Sequence, residues 1–150
     1  MAAPSAITLY NAFKSYLGNG TLDMDTNTFV VTLHTSTYTP ALTHAATTDL
    51  TNEVANGNGY TTGGFTLTSP TYTQTSGTAA WKTGNNPSWT GAGAGFVARY
   101  AIFRVTATQN SIVGPLIGYM LLDSAPADVS FAVGNTVTIT QNAAGWFTNT

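Results

Sequence analysis

Phe96-Val97-Ala98-Arg99-Tyr100-Ala101-Ile102-Phe103-Arg104-Val105-Thr106 is apolar at both odd and even positions. A strand with one wet face alternates apolar and polar residues, whereas a strand covered on both sides does not. Residues 96–106 therefore predict a long, central, doubly buried strand. Arg99 and Arg104 are an odd number of positions apart, so a regular strand sends them to opposite faces. Only a bulge would bring them into one charged patch.

The segments around this strand read as more β structure. In 29–35, Phe29, Val31 and Leu33 point one way and Val30, Thr32 and His34 the other. Phe65 and Leu67 alternate with Thr66 and Thr68, and Thr71-Tyr72-Thr73-Gln74-Thr75 resumes after Pro70. Ala79-Ala80-Trp81-Lys82 and 116–122 are further strands. Val129, Phe131 and Val133 alternate, Gly134-Asn135 offers a two-residue hairpin turn, and Val137 and Ile139 follow. Gly145-Trp146-Phe147 closes the chain with an aromatic anchor. Residues 83–95, rich in glycine and asparagine, read as a loop around Trp89.

One helix is expected. Ile7, Tyr10, Phe13 and Leu17 recur at helical spacing, Ser5 can cap the start, and Gly18-Asn19-Gly20 ends it. Residues 47–53 suit one helical turn capped by Asp49. The expected architecture is a single domain, 1–150, mainly β. It is an antiparallel β-sandwich or jelly-roll-like barrel with one short N-terminal helix. A single curled sheet with the helix on its concave face is the alternative.

Composition narrows the function. Charged residues make up 7% of the chain, against about 25% in ordinary soluble domains. Interface cores are depleted in charge, whereas isolated monomers rely on charge for solubility. Contact with a partner or with further copies follows, with a monomer solvated by threonine and asparagine as the plain alternative. Lys14, Lys82, Arg99 and Arg104 form no basic run, which argues against direct nucleic-acid binding. The apolar stretch 112–122 is broken by Gly114, Pro115 and Gly118 and is too short to span a bilayer as a helix. The N-terminus lacks the pattern of a secretory signal.

No catalytic constellation stands out. His34 and His44 are the only histidines and lack ligand spacing. His34 is expected on the polar face of its strand. A Ser36/His34/Asp49 triad can be written down, but no nucleophile elbow accompanies it. Asp23-Met24-Asp25-Thr26-Asn27 starts like a calcium loop, yet Thr28 and His34 stand where that loop needs glycine and glutamate. Gly91-Ala92-Gly93-Ala94-Gly95 lacks the Lys-Ser/Thr of a phosphate loop. Neither metal nor cofactor is expected. Trp81, Trp89 and Tyr72 could form a sugar-stacking platform, although aromatic residues near strands more often build core.

Several blocks occur in a characteristic order. They are Tyr10-Asn11-Ala12-Phe13-Lys14, Leu22-Asp23-Met24-Asp25-Thr26-Asn27-Thr28-Phe29, Thr35-Ser36-Thr37-Tyr38-Thr39-Pro40, Thr51-Asn52-Glu53-Val54 and Gly59-Tyr60-Thr61-Thr62-Gly63-Gly64. Ala98-Arg99-Tyr100-Ala101-Ile102 and Pro115-Leu116-Ile117-Gly118-Tyr119 complete them. This order resembles a family of small tailed-bacteriophage virion proteins, from Tyr10 to about Phe147. The resemblance implies a non-enzymatic particle component. The low charge and the Gly/Ala/Asn-rich stretch between Trp81 and Gly95 depart from that family's pattern.

The combined expectation is a capsid decoration (cement) protein on the outside of a phage head. It would bind the major capsid protein as a cyclic homo-oligomer such as a trimer. A tail, head–tail connector or fibre component is the second reading, and a carbohydrate-binding module the third. The expected contact residues are Met1, Ala2, Ala3, Pro4 and Ser5 at the terminus, with Asn85 and Trp89 in the loop. An arginine in an apolar strand needs an acceptor, and Glu53 is the only glutamate, so an internal Arg99–Glu53 pair is expected.

Overall fold

The computed structural model describes residues 4–150. In chain order they form β1 (Thr8–Leu9), α1 (Asn11–Gly18), β2 (Phe29–His34), a single 3-10 turn (Thr47–Asp49), β3 (Phe65–Thr66), β4 (Thr71–Thr75), β5 (Thr78–Lys82) and β6 (Ser88–Thr90). Then follow β7 (Phe96–Ala98), β8 (Tyr100–Val105), β9 (Leu116–Leu121), β10 (Val129–Phe131), β11 (Thr136–Thr138) and β12 (Phe147–Asn149). The fold is mainly β and sandwich-like, with several antiparallel sheets and one short N-terminal helix.

The principal sheet has the order β1-β9-β8-β2-β3. β8 lies between β9 and β2, as its two apolar faces require. One face carries Phe29, Val31, Leu33, Ala101, Phe103 and Val105, all buried. These pack with Trp81, Trp89, Phe131 and Phe147 of the smaller sheets into the main core. Trp81 meets Phe29 edge-on at 4.9 Å between ring centres. The opposite face carries Thr32, His34 and Ile102 and is also buried. It is covered by the strap formed by residues 35–53. Tyr38 and Leu50 from that strap pack with Tyr10, Ile102 and Leu116 in a second cluster.

The stretch 96–106 is not one strand. It breaks at Arg99, where β7 leaves to pair with β10 while β8 stays in the principal sheet. The break is held by Arg99 N–H donating to the His34 carbonyl at 2.8 Å and by Leu122 N–H donating to the Arg99 carbonyl at 2.9 Å. The register with β9 shifts between Phe103 and Arg104. A strand that changes sheets turns a corner of a sandwich, which local alternation does not reveal.

The hairpin expected around Gly134-Asn135 is corrected in the same way. A turn forms one residue earlier than expected, with Val133-Gly134 at its centre and Asn135 N–H donating to the Ala132 carbonyl at 2.9 Å. Its arms do not pair with each other: β10 joins β7, and β11 joins β6. β6 was itself hidden in the expected loop 83–95. Three residues gain strand geometry there from the distant partner Thr136–Thr138.

The helix is shorter than its periodicity suggests. Ile7 lies outside it, and Ser5 does not cap it. Thr8 and Leu9 pair with Tyr119 and Gly118, and Ser5 extends that edge through Leu121. Sheet pairing with a buried strand satisfies more backbone groups there than one additional uncapped turn would. α1 buries Phe13 and Tyr16. Phe13 meets Phe147 edge-on at 5.3 Å.

Candidate interaction surface

Glu53 sits in the strap, held by its backbone bridge to His34. Its Oε1 accepts the Tyr60 hydroxyl at 2.7 Å and the Gly63 N–H at 2.7 Å. Its acceptor capacity is thus directed at the turn formed by residues 60–64. The expected Arg99–Glu53 pair is replaced by another. Arg99 Nε donates to Asp128 Oδ1 at 2.7 Å, the one salt bridge among the described residues. The physical reason is the sheet switch: at the corner Arg99 faces the segment leading into β10, where Asp128 lies. The arginine whose charge acts on Glu53 is Arg104. Burial pushes the Arg104 guanidinium below its ordinary pKa, and the Glu53 carboxylate opposes that push.

The expected contact residues fare unevenly. Met1, Ala2 and Ala3 lie outside the described residues. Pro4 is exposed. Ser5 is docked: its N–H donates to the Leu121 carbonyl at 3.0 Å, and its Oγ accepts the Leu121 N–H at 2.9 Å. Asn85 is an internal clip rather than a loop tip, accepting from Thr68 N–H at 2.8 Å and donating to the Thr66 carbonyl at 3.1 Å. Trp89 is buried, because β6 turns its ring inward onto Phe65 and Phe131. Trp81 is buried beside Phe147, so the pair of tryptophans cannot offer a sugar-stacking platform. Tyr72 alone of the three is partly exposed.

The ionisable groups with catalytic potential are committed elsewhere. His34, buried beneath the strap, uses Nδ1 on the Thr51 carbonyl at 2.8 Å and Nε2 on Thr32 Oγ1 at 3.0 Å. Burial lowers its pKa, so the imidazole is held neutral. Ser36 donates to Asp128, and Asp49 accepts the Ala45 and Ala46 N–H groups at 2.7 and 3.1 Å. The three members of the conceivable triad thus serve three separate structures. His44 Nδ1, the Tyr38 hydroxyl and the Tyr10 hydroxyl form a chain, at 2.9 and 3.2 Å. Burial raises the pKa of both tyrosines. This chain fastens the strap to the sheet. The sequence signal for it is weak: Tyr10 lies 28 positions before Tyr38, and only His34 on a strand face hints at cover.

A surface feature that sequence reading missed is an open groove of about 900 Å³. α1 and the following turn form one wall, and Tyr72 and β12 form the other. Phe13, Leu17, Leu22, Met24 and Phe147 give it an apolar floor, and Lys14, Asp23 and Asp25 stand at its rim. The Asp23 turn is fixed by its own side chain: Oδ1 accepts the Asp25 N–H at 3.0 Å and the Thr26 N–H at 3.2 Å. Asp25 Oδ1 accepts the Tyr72 N–H, tying this turn to β4. Among the described residues no three His, Asp or Glu side chains converge as metal ligands. No helix among them is long and apolar enough to cross a membrane.

No protein-family model, curated protein or solved structure matches this chain.

Proposed function

We propose that this chain is a non-enzymatic virion structural protein of a tailed bacteriophage. It binds as a decoration protein to the outside of the capsid and stabilises the shell. The observation that carries this reading is the disposition of the few ionisable groups. His34, Glu53, Asp49, Asp128 and Arg99 are all engaged with other groups of the chain, and the exposed residues are largely threonine, asparagine, glycine and alanine. Such a surface suits broad contact with another protein. The order of sequence blocks supports the same reading.

A cement protein acts by mass action. It binds the assembled shell and not the dissociated subunits, so its binding energy must be lost before the shell comes apart. Contacts of standard size, about 1,600 Å² in total, suffice for stable attachment. Quantitative mass spectrometry of purified particles tests the assignment. Copies on the order of hundreds per particle are expected, since icosahedral shells repeat each site many times. About six to a few dozen copies would move the protein to a connector or tail. Absence from particles, or turnover of a substrate, would overturn the reading altogether.

A further inference from the structure

We infer that Asn19 is a site of spontaneous covalent modification. Its side-chain amide passes through a succinimide to aspartate and isoaspartate, while the fold preserves the chain's other Asn-Gly pairs. The modification is independent of the virion assignment, and neither stands or falls with the other.

In an Asn-Gly pair the glycine nitrogen can reach the asparagine Cγ, because glycine has no Cβ to obstruct the approach and leaves the backbone free to turn. The chain has three such pairs, Asn19-Gly20, Asn56-Gly57 and Asn58-Gly59. All of these residues are exposed, so burial does not separate them. Hydrogen bonding does. The attack requires the asparagine ψ to rotate until the next nitrogen lies against Cγ. That rotation carries the asparagine carbonyl and the glycine N–H with it, so the bonds those groups make must break first.

At Asn19, the residue that ends α1, ψ is 4°, and the Gly20 nitrogen is turned away from Cγ. Rotation costs one hydrogen bond, the Thr21 N–H donated to Asn19 Oδ1 at 3.0 Å. Neither the Asn19 carbonyl nor the Gly20 N–H has a hydrogen-bond partner among the described residues. The Asn19 N–H bond to the Ser15 carbonyl lies on the other side of the rotating bond and survives. Gly20, at φ +73° and with no atom within 4 Å of where a Cβ would stand, takes up the turn. At Asn56 the nucleophile is engaged. Gly57 N–H donates to the carbonyl of buried Tyr60 at 2.8 Å, and Tyr60 N–H returns to the Gly57 carbonyl at 2.9 Å. At Asn58 the carbonyl accepts the Ala92 N–H at 2.8 Å, and Oδ1 accepts the Ala94 N–H at 3.2 Å. Gly59 is pressed so closely on the Thr90 carbonyl that a Cβ would collide with it. Turning Asn56 or Asn58 therefore means unlocking a segment tied to the rest of the fold, whereas the end of a helix opens by itself.

The chemistry needs only water and hydroxide. Hydroxide takes the Gly20 amide proton, the nitrogen bonds to Asn19 Cγ, the Cγ–Nδ2 bond breaks, and ammonia leaves with a proton from water. Water then opens the imide ring at either carbonyl. One opening leaves aspartate, and the other leaves isoaspartate with the main chain running through Cγ. Either product adds one negative charge to a chain of net charge −2. The new carboxylate stands at the C-terminal end of α1, where the helix dipole is already negative.

The test incubates the full chain at mildly alkaline pH, folded and in denaturing urea. Each Asn-Gly pair is followed by peptide mass spectrometry with fragmentation that separates isoaspartate from aspartate. In the folded chain Asn19 should convert at least about tenfold faster than Asn56 or Asn58, since locked segments react only through rare openings. In urea the rates at the three pairs should converge. Gly20→Ala, whose Cβ meets no neighbour, should lose most of the conversion at Asn19. Conversion of Asn56 or Asn58 as fast as Asn19 in the folded chain, no conversion of Asn19 there, or product without isoaspartate would overturn the inference. So would an unchanged rate in Gly20→Ala. An equal lead for Asn19 in urea would also overturn it, because the preference would then belong to the neighbouring sequence and not to the fold.

Discussion

The Tyr60 hydroxyl donates to Glu53 Oε1 at 2.7 Å while accepting the Leu33 N–H at 3.1 Å. One oxygen thus joins the strap, the turn after it and β2 in the principal sheet. Burial raises the Tyr60 pKa, and the Glu53 hydrogen bond raises it further, so the phenol stays protonated. Tyr60→Phe leaves a buried Leu33 N–H without its partner, which costs about 1–3 kcal/mol. Glu53→Gln keeps an acceptor at Oε1 and should cost less. Urea denaturation of the two variants checks the order, and a Glu53→Gln loss exceeding that of Tyr60→Phe contradicts it.

The ion pair at the sheet-switching corner should contribute little. The side chains of Arg99 and Asp128 are 27% and 41% exposed, so water screens their attraction. A double-mutant cycle with Arg99→Ala and Asp128→Ala should give a coupling of about 0.2–1 kcal/mol. The parallel cycle of Arg99→Ala with Glu53→Ala should give none beyond experimental error.

Acid should loosen the strap in two windows. The folded-state pKa of His34 is lowered by burial, so the unfolded chain binds its proton first. Its contribution is complete above the unfolded pKa of about 6.5 and declines as pH falls from there toward the folded value. Asp49 is lowered by the Ala45 and Ala46 N–H groups. Its contribution is complete above about 3.9 and is lost below that as the carboxylate protonates. Thermal unfolding followed from pH 8 to pH 3 should show both declines, and His34→Gln should flatten the first. An unchanged slope between pH 7 and pH 5 in that variant would count against this account.

Two glycines at similar backbone angles should respond differently to alanine. Gly64 has φ +86°, and a Cβ there would collide with the Val31 carbonyl of β2. Gly77, in the β4–β5 turn, also has φ +86° but meets nothing. Gly77→Ala should cost about 1 kcal/mol, from left-handed strain alone. Gly64→Ala must also displace a central strand, so its loss should be clearly larger. Calorimetric melting of both variants decides the matter.

The terminal glycine of the Gly-Tyr-Thr-x-Gly-Gly block shows how much was legible. Its membership of an ordered block could be read, but neither its turn nor the approach of Val31 that demands glycine could. The same division runs through the candidate site. Trp89 was legible as an aromatic among breakers. Its inward direction depends on Thr136–Thr138, forty-six or more positions away. Asn85 was legible as a turn residue, but its role as a clip needs Thr66 and Thr68 beside it. The groove left no trace in the sequence, because its walls come from opposite ends of the chain.

The sequence by itself determined a mainly β chain with one short helix, a strand covered on both faces, and a near absence of charge. These follow from side-chain alternation and composition, which are local. Tertiary structure alone decided that β7 and β8 part at Arg99, that β10 and β11 go to different sheets, and that a strap seals His34 against water. Strand pairing joins backbone groups that are chemically alike in every residue. Local sequence therefore cannot say which partner they will find, and only burial of the whole set of side chains selects it.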